Sequence, residues 1–282
     1  MFRKILASTT FRILLGFAAI MGPVMGFYAL MAALLPATLL SGAGVQTGLI
    51  AFGSLLGFLC YILLYRWLEK RRMSELALRA MLPHLAFGLL IGAVLISLTV
   101  GVVALAGQVR ITAINPLTAM IPALAMALQS STLEELLFRG VLMRLLNARF
   151  GSLPALIVSA LIFGGVHKMN PDATWLSALA VAIEAGLLLG LAFLASGTLW
   201  LPIGIHFAWN FVQAGVFSLS VSGFGLPDGL LSTTVSGPLW ATGGAFGVEQ
   251  SGQAVAFCLI ASAGLYRVAK VRGRVLKARW RR

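Results

Sequence analysis

Long apolar runs separated by short polar stretches dominate this sequence. A membrane-spanning helix needs about 20 mostly apolar residues. Eight runs approach or exceed that length, at 13–36, 46–65, 84–107, 118–143, 154–170, 175–195, 199–220 and 252–267. Continuous apolar runs of this kind are typical of helices, which satisfy their backbone hydrogen bonds internally. The pattern therefore predicts an all-α, polytopic membrane protein with about eight transmembrane helices.

Composition agrees with a membrane location. Hydrophobic residues make up 60% of the chain and charged residues only 10%, which is outside the range of soluble globular domains. We divide the chain into N-terminal transmembrane helices (1–115), a helical core (116–220) and a C-terminal part (221–282). The C-terminal part contains the glycine-rich connection 221–251, followed by the last transmembrane helix and a basic cytoplasmic tail. The connection shows no obvious regular element and is predicted to face outward, either as a functional loop or as a structured cap.

The net charge of +13 carries information about orientation, because lysine and arginine collect in cytoplasmic loops. Eight helices with both termini in the cytoplasm leave only Arg110 and Lys168 on the outer side. Apart from Arg139, which lies inside an apolar run, the other basic residues then fall in four cytoplasmic segments: Arg3 to Arg12, Arg66 to Arg79, Arg144 to Arg149, and the tail from Arg267 to Arg282. This distribution favours a bacterial inner-membrane protein. The basic segments lack a nucleic-acid recognition motif with interleaved aromatic residues, so no nucleic-acid partner is predicted.

The stretch STLEELLFRG places three charges inside the fourth apolar run. Each charge at the centre of a membrane helix costs about 2.5–3.5 kcal/mol on insertion scales. Glu135 and Arg139 are at i and i+4, so an internal ion pair accounts for two of them. Glu134 lies about 100° further around the helix and has no such explanation. Glu134 is therefore the candidate functional residue.

Two of the three histidines lie in other apolar runs. His167 closes the sequence FGGVH, and His206 opens HFAWN, in which Asn210 is one helical turn away. Estimated depths along the helices allow Glu134, His167 and His206 to surround one cavity. A carboxylate, two imidazoles and an amide suit hydrolysis of a peptide bond: the carboxylate accepts a proton from water and the amide donates to the oxyanion.

Three motifs occur in order on separate apolar runs: EExxxR at Glu134–Arg139, FxxxH at Phe163–His167 and HxxxN at His206–Asn210. This order resembles the CAAX-protease and bacteriocin-processing family of intramembrane proteases, over roughly residues 120–215. The resemblance implies that Glu134 is the catalytic glutamate, that Glu135 and Arg139 support it, and that His167, His206 and Asn210 complete the site. It also implies an endopeptidase acting on peptides or membrane proteins, including CAAX-like substrates, at the lipid bilayer.

The need for a metal stays open at this point. Glu134, His167 and His206 are the types of ligand found in catalytic zinc sites, but the chain has no HExxH motif. We favour direct action on water without a metal, and a divalent metal such as zinc is the alternative. Glu184, in the sixth run, is a further intramembrane acid that either lines the cavity or pairs with Arg139.

Two other classes of function are compatible with buried polar residues. A transporter uses such residues as proton relays, although inverted repeats and interrupted helices in matching halves are not evident here. A non-catalytic scaffold or immunity-type protein of the same fold is the stronger alternative. The two classes differ from a protease in that neither requires Glu134 to react with water.

Overall fold

The structure is a computed structural model that describes residues 8–278. Arg3, Lys4 and the end of the basic tail, on which the predicted orientation partly depends, lie outside these residues. Helices and strands occur in the following order: α1 Thr9–Leu34, α2 Ala37–Leu40, α3 Ala43–Glu69, α4 Met81–Leu105, β1 Val109–Ile114, α5 Ile121–Glu135, α6 Arg144–Phe150, α7 Ser152–His167, α8 Trp175–Val181, α9 Leu188–Ser196, α10 Trp200–Phe211, β2 Leu231–Val235, α11 Leu239–Thr242 and α12 Gly252–Val271.

Three π-helical stretches continue these helices without a break. They join α5 to α6, join α8 to α9, and extend α10, at Leu136–Met143, Ala182–Leu187 and Val212–Val216 respectively. Short 3₁₀ turns occupy Ser74–Leu76, Leu78–Ala80, Leu117–Met120 and Val248–Gln250. Every one of the eight predicted apolar runs is therefore helical over most of its length.

The all-α membrane class is confirmed. Five helices are long and apolar enough to cross a membrane: Thr9–Leu34, Ala43–Glu69, Leu78–Leu105, Trp175–Ser196 and Gly252–Val271. The helix Ser152–His167 is apolar but shorter, and the helix that holds Glu134 and Arg139 carries charges near its middle. The count of eight spans stays a prediction.

The connection 221–251, in which the sequence shows no obvious regular element, contains short regular elements in the structure. It contains β2, which pairs antiparallel with β1 from Val109↔Val235 to Ile114↔Leu231, and the short helix α11. The two strands are more than 100 residues apart in sequence, and neither shows a clear alternation of apolar and polar residues. The resulting two-stranded ribbon lies at one end of the helix bundle.

A cluster of charges joins three helices at the opposite end. The carboxylate of Glu69, at the end of α3, is 3.2 Å from Arg12 Nη2 of α1 and 2.9 Å from Arg144 Nη1 of α6. Arg71 also donates to Glu69 and reaches Glu75 Oε1 at 2.6 Å. Burial alone would raise the pKa of Glu75, but hydrogen bonds from Arg71 and from Tyr61 outweigh it and lower that pKa. Basic residues from three separate predicted cytoplasmic segments thus meet at one end.

Helix α10 packs against α4 and α5, and glycines make the contact with α4 unusually close. A Cβ at Gly88 would lie 2.5 Å from the carbonyl oxygen of Leu201, and one at Gly92 would lie 2.2 Å from that of Ile205. Close backbone approach through small residues is the usual way in which membrane helices pack. This contact fixes the part of α10 that carries His206.

We expect Gly92→Ala to lower the free energy of unfolding by about 1–3 kcal/mol, because the added methyl group overpacks the α4–α10 contact. Thermal unfolding of the purified protein in detergent measures the change. Gly101→Ala is the matched control, since Gly101 lies in the same helix with no atom within 4 Å of its added Cβ; there the higher helix propensity of alanine should leave stability unchanged or raised. Equal effects of the two substitutions would contradict the packing argument.

Candidate active site

Glu135 and Arg139 form the predicted ion pair on the helix that begins with α5. Arg139 Nη1 donates to Glu135 Oε1 at 2.6 Å, and both side chains are 0% exposed. A buried pair of this kind is costly unless its remaining polar atoms are also satisfied. The surroundings of Arg139 therefore determine whether the pair is a stable anchor.

Backbone carbonyl groups satisfy Nη2 of Arg139, whereas its Nε and Oε2 of Glu135 are buried without a hydrogen-bond partner in the described residues. Its Nη2 donates to the carbonyl oxygen of Ala185 at 2.6 Å and lies 3.3 Å from that of Gly186. The guanidinium also lies over the ring of Phe163, 4.6 Å from the ring centre, where a cation–π attraction operates. One buried cation thus links the helix of Glu134 to α7 and to the π-helical stretch between α8 and α9.

The π-helical geometry explains why these carbonyls are accessible to Arg139. In a π-helix the hydrogen bonds run from i to i+5, so the regular α ladder is interrupted and backbone acceptors are redirected. Ala185 and Gly186 lie within such a stretch. The same holds for Gly140, whose carbonyl oxygen accepts from Tyr61 Oη at 3.1 Å and from Arg144 Nε at 2.7 Å.

Glu135 has a second partner, His206. The Nδ1 atom of His206 lies 3.0 Å from Glu135 Oε1, so a neutral ring that donates there presents the lone pair of Nε2 on its opposite side. That Nε2 lies 3.9 Å from Glu134 Oε2. Glu135 therefore sets the tautomer and direction of His206 towards Glu134, as a carboxylate commonly does for a functional histidine.

His167 is oriented in the same way by a backbone group. Its Nδ1 lies 2.7 Å from the carbonyl oxygen of Phe163, which requires Nδ1 to carry the hydrogen. Its Nε2 lies 4.0 Å from Glu134 Oε2. Two imidazole lone pairs and one carboxylate oxygen consequently converge, while Glu134 Oε2 itself has no hydrogen-bond partner among residues 8–278.

Three acceptors facing one another need a donor or a cation between them. The Glu134–histidine distances exceed the 3.5 Å limit of a direct hydrogen bond, and at this spacing one water molecule can bridge the groups. Such a water would donate its two hydrogens to two of the acceptors. Its oxygen lone pair would then be free to react.

The same three atoms were the predicted ligands of a divalent metal. Tetrahedral zinc ligands at about 2.1 Å from the ion lie about 3.4 Å from one another, closer than the 3.9 and 4.0 Å that separate Glu134 from the histidines. Over the described part of the chain, no group of three His, Cys, Asp or Glu residues is arranged to hold a metal ion. The residues as arranged do not fit zinc without movement, and no step is derived through a metal below.

A cavity of about 340 Å³ opens on this group and gives a substrate room to approach. Glu134, His167, His206 and Asn210 line it together with apolar residues from α1 and α5 and with Val221, Ser222 and Phe224 of the C-terminal connection. Asn210 Nδ2 donates to Ser130 Oγ at 3.0 Å, which leaves its second N–H free. We call this space the front cavity.

A second, smaller cavity of about 50 Å³ adjoins the front cavity and shares His167, His206, Asn210 and Ser222 with it. Its other polar lining comes from Glu184 and Glu249, which are 5% and 4% exposed. Glu249 accepts hydrogen bonds from Ser222 N and from Gln213 Nε2. In the described residues, Glu184 Oε1 has no partner. We call this space the acidic cavity.

Glu184 therefore lines a cavity beside the site, which was one of its two predicted positions. Its predicted pairing with Arg139 was wrong, because Arg139 donates instead to carbonyl oxygens in the same π-helical stretch. Gly186 and Gly190 of that region pack closely against α7, where a Cβ at Gly186 would lie 2.7 Å from Ala160 Cα.

Burial raises the pKa of Glu249, which lies in the connection before α12, to about 7, although hydrogen bonds from Gln213 and Ser222 act in the opposite direction. Because its folded-state pKa is above the usual 4.5, the fold favours the protonated form. Its stabilising effect is complete below about pH 4.5 and is lost as the pH rises to about 7, a change of about 3 kcal/mol. Glu184, His167 and His206 are the titratable groups that face the same cavity.

We therefore expect the protein to be less stable at pH 8 than at pH 5, and Glu249→Gln to reduce this difference by about 3 kcal/mol. Glutamine resembles the protonated acid and does not ionise. Thermal unfolding in detergent at both pH values measures the effect. Asp228→Asn, which removes an exposed acid from the same connection, should leave the difference unchanged. An unaltered pH dependence in the Glu249 variant would contradict the prediction.

The structure brings all six predicted site residues together, on three helices: Glu134, Glu135, Arg139, His167, His206 and Asn210. The sequence-based prediction missed Ser130 and Glu249. Ser130 could have been noticed as one of several polar residues in QSSTLEE, within an apolar run. Glu249 stands alone among glycines in a connection, and nothing local indicates that it reaches the site.

Comparison with known proteins gives one match. Residues 116–212 match the family model described as Rce1-like: Type II CAAX prenyl endopeptidase Rce1-like. No curated protein and no solved structure matches the chain. The matched range includes the residues on which the resemblance depends: Glu134, Phe163, His167, His206 and Asn210. Members of the Rce1-like family are generally proteases. Over residues 116–212, this integral membrane protein is similar to the Rce1-like family of type II CAAX prenyl endopeptidases.

Proposed function

We propose that this protein is an intramembrane endopeptidase that hydrolyses a peptide bond of a membrane-associated or CAAX-like substrate with a water molecule activated by Glu134. The observation that carries the proposal is the convergence of Glu134 Oε2 with His167 Nε2 and His206 Nε2 at 4.0 and 3.9 Å. Each histidine uses its Nδ1 elsewhere, so all three atoms are free to accept, and one water can donate its two hydrogens to two of them at a time.

The water donates one hydrogen to Glu134 and one to a histidine Nε2, which directs its oxygen lone pair at the substrate carbonyl in the front cavity. Glu134 acts as the general base and takes the proton as the C–O bond forms. When the C–N bond breaks, the carboxylic acid of Glu134 returns that proton to the leaving amine. The products are a carboxyl-terminal fragment with a new amine and an amino-terminal fragment with a new carboxylate.

His206 stabilises positive charge during this sequence. If its Nε2 accepts a proton from the water, the resulting imidazolium is neutralised by Glu135, 3.0 Å from Nδ1. Arg139 in turn holds Glu135 in place through its 2.6 Å contact. A carboxylate supports a catalytic histidine in the same way in other hydrolases. Glu135 therefore has a positioning role, which is distinct from the role of Glu134 as the base.

Asn210 is the candidate donor to the oxyanion that forms on the substrate carbonyl. One N–H of its amide is bound to Ser130 at 3.0 Å, which fixes the plane of the amide. The other N–H is available at the wall of the front cavity. A donor held in advance in a site shielded from water stabilises developing charge without reorganisation.

The proposal includes an orientation in a bacterial inner membrane with both termini in the cytoplasm. The cluster around Glu69 supports it, because Arg12, Arg71 and Arg144 meet at the same end of the bundle, as the bias of basic residues towards the cytoplasm requires. The β1–β2 ribbon would then face outward. Because Val221, Ser222 and Phe224 of the connection line the front cavity, peptide substrates would reach Glu134 from within the bilayer or from its outer side.

The test compares the termini of membrane proteins in cells that produce the unaltered chain or its Glu134→Gln variant. We expect new carboxyl termini only with the unaltered chain, and these identify the substrate. Identical termini in both cells, together with full function of the variant, would favour the scaffold alternative. Incubation of the active preparation with a chelator separates the two metal alternatives: activity is retained if Glu134 acts on water directly and lost if a divalent metal is required.

A further inference from the structure

A groove of about 550 Å³ lies on the outer surface of the bundle near the Glu69 cluster and shares no residue with the catalytic cavities. One wall is a stripe of α3 and its C-terminal cap, formed by residues four apart: Phe58, Ile62, Arg66 and Lys70. Residues four apart share a helix face. The stripe is therefore apolar at one end and cationic at the other.

The opposite wall is rigid and apolar. Trp200, at the start of α10, stacks on Phe58 with ring centres 5.7 Å apart and 26° between the planes. Its indole nitrogen donates to the carbonyl oxygen of Ala77 at 3.2 Å. Leu76 and Leu78 of the 3₁₀ turns complete this wall. The apolar part of the groove is thus built from side chains that other contacts hold in place.

The cationic end of the groove has more positive than negative charge. Arg71 lines the groove, but its guanidinium is bound to Glu69 and Glu75. In residues 8–278, no acidic side chain pairs with Arg66, Lys70 or Arg72, and all three are exposed. Because the nearby acids are already neutralised by other arginines, these three cations leave a local positive charge open to an external anion.

We propose that this groove is a binding site for an anionic phospholipid, with the phosphate headgroup held by Arg66, Lys70 and Arg72 and an acyl chain lying along Phe58 and Ile62 against Trp200. The dimensions agree with such an amphiphile. Phe58 and Lys70 are separated by about 18 Å along the helix axis at 1.5 Å per residue, which spans a headgroup and the first half of an acyl chain. Cationic pockets at helix ends are typical of anionic-lipid sites.

The occupant is an anionic lipid rather than a soluble anion because the groove has both an apolar part and a cationic part. A free phosphate would use only the cationic end and would leave the stacked aromatic wall without a ligand. A zwitterionic lipid would bring a choline group into a region of net positive charge. Each Lys or Arg near the surface adds to the attraction for an anionic lipid, so three of them favour it over a zwitterionic lipid.

The experiment uses the full chain, purified in detergent and stripped of lipid. Phosphatidylglycerol, phosphatidylcholine with the same acyl chains, and water-soluble glycerol phosphate are titrated separately, and bound lipid is counted by native mass spectrometry alongside the melting temperature. We expect phosphatidylglycerol to bind at least about tenfold more tightly than phosphatidylcholine. Glycerol phosphate should give no comparable rise in melting temperature.

Two variants locate the binding. The triple variant R66Q/K70Q/R72Q should lose the preference for phosphatidylglycerol, whereas R149Q/R267Q/K270Q, which removes three exposed cations outside the groove, should keep it. The double variant F58A/I62A should weaken binding of both lipids, and it keeps the headgroup cations as an independent check. Equal loss in both triple variants, no preference for phosphatidylglycerol, or an equal response to glycerol phosphate would each overturn the proposal.

Discussion

Replacing Glu134 by glutamine is expected to lower the rate of peptide hydrolysis by about 10²–10⁴-fold, the range typical of a lost general base. Glutamine keeps the size and hydrogen-bonding reach of the side chain but accepts no proton at physiological pH. The Glu134 side chain is 29% exposed and makes no ion pair shorter than 3.9 Å, so the substitution should leave the fold intact. The rate is measured on the substrate identified from the new carboxyl termini, with the purified protein in lipid.

Asp228→Asn is a control for this experiment, because it removes one exposed carboxylate far along the chain from the catalytic motifs and should retain the full rate. Thermal unfolding of both variants separates lost chemistry from lost structure. A Glu134 variant that folds and keeps more than about a tenth of the rate would contradict a general-base role. His206 would then be the candidate for the group that accepts the proton.

Replacing Arg139 by methionine is expected to lower the free energy of unfolding by about 3–5 kcal/mol, because it leaves Glu135 as an uncompensated charge that is 0% exposed. It also removes the donor to the carbonyl oxygens of Ala185 and Gly186, which loosens the contact between two helices. Methionine is similar in length and fills the space against Phe163. Thermal or chemical unfolding in detergent measures the loss.

The double variant E135Q/R139M gives the informative comparison. With both charges removed, no buried charge is left alone, so the double variant should be more stable than R139M by itself. Its activity should nevertheless stay low, since a neutral Glu135 replacement cannot stabilise an imidazolium at His206. Loss of less than 1 kcal/mol in R139M would show that the ion pair does not hold these helices together.

Much of this architecture follows from local sequence. Hydropathy predicts the eight helices because each run has a long apolar surface. That surface is stable against lipid or against other helices, so the prediction does not depend on the neighbours of the run. The Glu135–Arg139 pair follows from a spacing of four residues within one helix. The depths estimated from the sequence are compatible with a convergence of Glu134, His167 and His206 but do not require it, because the packing of the helices decides which side chains meet.

What the sequence does not reveal depends on contacts between distant segments. The pairing of β1 with β2 joins residues such as Val109 and Val235, and no local pattern specifies it. The position of Glu249 beside His206 depends on how the connection 221–251 folds back over the bundle. The partners of Arg139 depend on a π-helical register, and the segment that contains Ala185 is an ordinary apolar helix by composition.

Because Arg139 Nη2 donates to a main-chain oxygen of Ala185, this contact does not depend on which side chain stands at position 185. A side chain at Gly186 would instead clash with α7, since its Cβ would lie 2.7 Å from Ala160 Cα. The contacts that direct Glu135 towards His206 consequently tolerate changes of the side chain at position 185 in the neighbouring helix. This leaves the lining of the acidic cavity, on the same segment, open to change during the evolution of new specificities.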